Sequence, residues 1–287
     1  DGSTVRLMAG RNEVVAFQVI VSGGAHTGVS LTVSDLSGPA TLSAAEHVRR
    51  FKEWFFRVSS PSQFCSFSGE SYVDSLGLGW YPDALIPLEA PGPPSSGYGQ
   101  PFSIPDPQNA VPGQTAAAFW VDVLVPPGTP AGTYTGTVSV AVDGSTVQLP
   151  LTLDVRGFTL PAYNHAGFGS VNYGGLAFNV LWDTHPTPNH AGLARWFQLA
   201  HAHRFELDAH WIWPLGTGGS MWPPCDPDWS MWRDIWRPYM TGTAFTPAQG
   251  YWGPSAGQPI RRFTLPQDWN WPTADANGAD LPDAPAT

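Results

Sequence analysis

Along the first half of the chain, apolar residues recur at every second position, the period of a strand with one buried face. Val147, Leu149, Leu151, Leu153 and Val155 alternate with Gln148, Pro150, Thr152 and Asp154. Upstream, Tyr134, Val138, Val140 and Val142 share a face opposed to Thr135, Thr137, Ser139 and Ala141, and Asp143-Gly144 supplies a hairpin turn between the two runs. The same reading predicts strands over Val14 to Val21, Val29 to Val33, Val48 to Val58, Ala117 to Val125, Thr133 to Val142 and Val147 to Val155. Short strands divided by turn clusters predict an all-β sandwich over residues 1–160. Between the third and fourth strands, Ser59 to Thr115 is rich in Pro, Gly and Ser and reads as a long connection. Its apolar stretch Tyr81 to Leu88 is expected to pack on the sandwich or on the next domain.

From Gly167 the period changes. Phe168 to Tyr173 reads as a short strand, and Leu193, Trp196, Phe197 and Ala200 fall at the i, i+3, i+4, i+7 spacing of an amphipathic helix. Thr187-Pro188-Asn189 offers that helix a cap and a first-turn proline. Phe205 to Trp213 reads as a second strand. A second helix follows Asp226-Pro227-Asp228, with Trp229, Trp232, Trp236 and Tyr239 as its buried stripe, and Arg261 to Leu265 is a third strand. Strands alternating with helices imply parallel pairing. The predicted fold is therefore multidomain: an all-β sandwich followed by the first part of a (β/α)8 barrel over residues 161–287. Three strands and two helices cannot close an eight-strand barrel. The remainder is expected from further polypeptide or from another copy of the chain.

Composition narrows the partners. The 287 residues hold 13 Lys and Arg against 23 Asp and Glu, a net charge of -10, which gives no electrostatic case for binding nucleic acid. No apolar run approaches the roughly 18 residues that would cross a bilayer as a helix. The chain opens close to its first strands without a targeting segment, so it reads as a mature or truncated product. Cys65 and Cys225 lack metal-site spacing. In an oxidising compartment they could form a disulfide; two separate buried thiols are the other reading.

Three segments carry a resemblance: Arg11-Asn12-Glu13-Val14-Val15-Ala16-Phe17-Gln18-Val19, then Val125-Pro126-Pro127-Gly128-Thr129-Pro130-Ala131-Gly132-Thr133-Tyr134-Thr135-Gly136, then Phe158-Thr159-Leu160-Pro161. Together they resemble glycoside hydrolase family 123 and its bacterial relatives, in which a β-sandwich precedes a TIM-barrel catalytic domain. Ala200-His201-Ala202-His203-Arg204 and Gly250-Tyr251-Trp252-Gly253-Pro254 look like barrel elements of the same relatives. The resemblance implies a secreted or cell-surface bacterial protein acting on β-linked N-acetylhexosamine glycans. It also implies a retaining mechanism in which the 2-acetamido group of the substrate is the nucleophile. There an adjacent Asp-Glu pair does the work: Glu protonates the leaving oxygen and Asp orients the acetamido group. No Asp-Glu dipeptide occurs in these 287 residues, so no catalytic residue is assigned and the chain alone is expected to be inactive. Glu206 and Asp208 would share one face of a strand but fall near its start, away from the C-terminal ends where barrel chemistry sits.

Strand ends at a barrel mouth would present Asn172 and Tyr173, then His210, Trp211 and Trp213, then Asp268, Trp269 and Trp271. Aromatic plates with a few amides and carboxylates suit the apolar C–H faces and hydroxyl rims of a sugar. Trp196, Trp229, Trp232 and Trp236, at helical spacing, read instead as core. His201 and His203, two apart on a helix, point to different faces, so no metal site is expected. No cofactor is implied: Gly216-Thr217-Gly218-Gly219 lacks phosphate-loop and dinucleotide spacing, and Gly-x-Ser-x-Gly is absent. Two functions fit these residues, a glycosidase-like protein and a non-catalytic extracellular scaffold or carbohydrate-binding protein on the same fold.

Overall fold

The computed structural model describes residues 4–60, 77–89, 99–163, 170–171, 191–205, 207–208 and 236–261. The chain divides into two compact units, Asp1–Leu160 and Pro161–Thr287. The protein is β-rich, with few helices among the described residues.

In the first unit, β1 (Val5–Arg11), β3 (His26–Val33), β8 (Phe102–Ile104), β10 (Gly132–Val142) and β11 (Ser145–Thr159) form the path β1-β11-β10-β3-β8 of a seven-stranded sheet. The short β4 (Leu36–Ser37) and β5 (Thr41–Leu42) complete it. A four-stranded sheet has the order β2-β9-β6-β7, from β2 (Glu13–Ser22), β9 (Ala116–Val125), β6 (Val48–Val58) and β7 (Gly79–Pro87). A single-turn helix, α1 (Ala44–His47), leads into β6. One apolar core joins the sheets: Val29, Leu31, Val138 and Leu153 from the first meet Phe119, Val121, Val123 and Val125 from the second, all fully buried.

The expected hairpin is present in the expected register. Val142 pairs with Ser145 across Asp143 and Gly144, both at positive φ (51° and 83°), the conformation of a turn that matches strand twist. Tyr134, Val138 and Val140 point into the core, as do Leu151, Leu153 and Val155. Val147 does not. It lies 57% exposed although its ladder partner Val140 is buried, and alternation alone cannot show where cover ends.

Strands also form where the sequence pattern predicted none: β1, β4, β5, β7 and β8. The Ser59 to Thr115 connection contains β7, which pairs with β6 from Phe51↔Pro87 to Val58↔Gly79, and β8, which pairs with β3. Pro82 and Pro87 obscure β7 in the sequence, yet an edge strand tolerates them because one side of its backbone needs no ladder partner. β1 pairs in parallel with β11, Val5↔Leu151 to Ala9↔Val155, a contact between opposite ends of the unit that no local pattern encodes.

In the second unit, β12 (Ser170–Val171), α2 (Ala191–Ala202) and β13 (Leu207–Asp208) follow one another, and the two strands pair in parallel, Ser170↔Leu207 and Val171↔Asp208. The helix stripe is partly as expected. Phe197 is buried and Trp196 and Ala200 are half-buried, but the polar Gln198 and His201 are buried with them. Residues 236–240 are helical and bury Trp236 and Tyr239, two of the predicted stripe. Trp229, Trp232 and the strand at Arg261 to Leu265, apart from Arg261 itself, lie outside the described residues.

Candidate functional site

Asn172, Tyr173, His210, Trp211, Trp213, Asp268, Trp269 and Trp271 all lie outside the described residues, as do Glu206, Cys65 and Cys225. The structure does describe the segments that carried the family resemblance, and within each unit it brings them together.

In the first unit, Asn12 is the single residue between β1 and β2, where the chain crosses from one sheet to the other. It takes φ 59°, a conformation that asparagine tolerates better than most residues, and it is 3% exposed. Its Nδ2 donates to the Leu160 carbonyl at 3.0 Å, and the Leu160 amide donates to the Arg11 carbonyl at 2.9 Å. Arg11 Nε donates to the Thr129 carbonyl at 2.6 Å, which anchors the Pro126 to Gly132 turn. Glu13 accepts the Gly10 amide at 2.6 Å, closing the corner. Tyr134, fully buried, donates its hydroxyl to the Pro130 carbonyl at 2.9 Å. The Arg-Asn-Glu corner, the Pro-Pro-Gly-Thr-Pro turn and the Phe158 to Leu160 exit therefore form one clasp.

Beside the clasp lies an open, mainly apolar groove of about 480 Å³, lined among others by Met8, Glu13, Arg156 and Phe158. Glu13 is the only carboxylate in that lining, and it is engaged with the Gly10 amide.

In the second unit, the Ala200 to Arg204 and Gly250 to Pro254 segments pack on each other. The end of α2 is a Schellman cap: the Phe205 amide reaches the Ala200 carbonyl, and the Arg204 amide reaches the His201 carbonyl, with Arg204 at φ 59°. Arg204 Nε donates to the Pro161 carbonyl at 3.0 Å. The His201 ring stacks on Phe245 (centroids 3.8 Å apart) and meets Tyr251 edge-on, and its Nε2 lies 3.2 Å from the Ser255 carbonyl. Burial holds the His201 pKa below its usual value, so the neutral ring is favoured. His203 is exposed, so the two imidazoles face different surroundings. Gln198 donates to the carbonyls of Ala244 and Gln249 and accepts from Arg195, which also donates to Gly250. These polar contacts explain why Gln198 and His201 enter the core: each satisfies backbone groups of the irregular 241–258 segment. Among the described residues, no three His, Cys, Asp or Glu side chains gather as a metal site.

Sequence reasoning also missed Lys52. It sits on the core face of β6, with Nζ 2.6 Å from Asp106 Oδ2 and beside the rings of Phe102 and Trp54. Both side chains of the pair are almost wholly buried. The alternation of β6 places position 52 inward, and that was the available signal.

No protein-family model matches the chain, and no curated protein does. Among solved structures, the chain is similar to a family 123 glycoside hydrolase from Clostridium perfringens described for glycolipid glycan hydrolysis. The identity is 15%, the TM-score 0.37, and the match covers 55% of this chain and 24% of that one. A second likeness is to an endo-fucoidan hydrolase of glycoside hydrolase family 107, at 10% identity and TM-score 0.20, covering 54% of this chain and 13% of the other. At these values neither likeness carries an argument about activity. Among the described residues, no helix is long and apolar enough to cross a membrane.

Proposed function

We propose that the chain is part of a secreted or cell-surface bacterial glycoside hydrolase-like protein, with residues 1–160 as a β-sandwich and 161–287 as the opening part of a barrel. Its substrate class is β-linked N-acetylhexosamine glycan, cleaved with the acetamido group of the substrate as nucleophile. The observation that supports this reading is the convergence of the resembling segments. Arg11, Asn12, Thr129 and Leu160 are separated by up to 149 positions yet hydrogen-bond as one clasp, while His201 and Ser255 join the two segments of the second unit. Segments that resemble a family in chain order and also meet in space resemble it as a fold does, rather than as scattered turns.

Asn172, Tyr173, His210, Trp211, Trp213, Asp268, Trp269 and Trp271 are proposed as sugar contacts. The test is turnover of an aryl β-N-acetylgalactosaminide. The complete gene product that contains this chain is expected to cleave it, and the purified 287 residues are expected not to. Turnover by the short chain would mean that its own residues carry the acid. No turnover by the complete product would leave a non-catalytic carbohydrate-binding scaffold as the better reading.

A further inference from the structure

We draw no further inference here: the strongest candidate, the outward face of the four-stranded sheet, on which Gln18, Trp120, Phe51 and Pro87 align across the strands beside the exposed Ile20 and Leu85, carries no proposal because nothing in the structure shows what covers it.

Discussion

The two units solve the same packing problem with different materials. The first buries mainly apolar side chains between two sheets, with the Lys52–Asp106 pair, Asn12, Glu53 and Asn109 among its buried polar groups. The second packs Phe197, Trp236, Tyr239, Phe245 and Tyr251 around His201 and Gln198. The difference follows from backbone regularity. Strands satisfy their own amides in ladders, so little besides apolar volume is needed inside. The irregular 241–258 segment leaves carbonyls at Ala244, Gln249 and Ser255 that have to be met by side chains, and a buried amide and imidazole meet them.

Breaking each core at its own weak point sharpens that contrast. Asp106→Ala leaves Lys52 buried without its carboxylate and is expected to cost about 3–5 kcal/mol in the first unit. Replacing both partners, Lys52→Met with Asp106→Leu, should recover most of it, as denaturant titration followed by hydrogen exchange in β6 and β9 would show. If the single change is silent, the pair does not stabilise the first unit. Gly242→Ala probes the second unit. The glycine has φ 80°, and an added methyl would run into the Gly257 backbone, so a loss of about 1–3 kcal/mol is expected.

Acid should also separate the units. Desolvation lowers the His201 pKa, with the nearby Arg204 charge adding to it and the Ser255 carbonyl opposing. The unfolded chain therefore binds this proton more readily, so the stability the group contributes is complete above the ordinary histidine value of 6.5 and is lost as pH falls below it. In the first unit, burial lowers the His47 pKa in the same way, but Glu46 beside it works against the effect. The hairpin carboxylate Asp143 is held down to about 2, first by the His26 hydrogen bond and then by the Thr27 amide. Its contribution is present above the ordinary aspartate value of 3.8 and lost only as pH falls toward 2. Hydrogen exchange between pH 7 and 5 should thus show protection falling in α2 before β10 and β11, and His201→Gln should flatten the response of α2. Equal loss in both units would contradict the assignment of the sensitive group.

The smallest effect is expected at the groove. Gly10 lies under the Phe158 ring, and an added Cβ would come 2.6 Å from it, but Phe158 is 55% exposed and can swing outward. Gly10→Ala should change stability by no more than about 0.5 kcal/mol in a thermal melt. A larger loss would mean that the ring is fixed as part of the clasp.

How much was legible depended on the kind of signal. Val48 to Val58 coincides with β6, and Asp143-Gly144 with the turn, because alternation and positive-φ residues are local properties written at each position. The Leu193 to Ala200 stripe marked α2 for the same reason, although it gave no hint that Gln198 and His201 would be buried. β7 was hidden by its prolines, and β1 by the distance to its partner. The resembling segments were visible as words, but not their meeting.

The strands β2, β3, β6, β9, β10 and β11, the hairpin, the helix after β12 and the net charge of -10 were determined by the sequence itself, since periodicity, turn chemistry and charge count need no partner. Tertiary structure alone decided which edge each strand took, that Asn12 would bond to Leu160, that Lys52 would find Asp106, and that Gln18, Trp120, Phe51 and Pro87 would align. Each of these joins residues brought together only after the chain folds back on itself, and a one-dimensional pattern carries no register between distant strands.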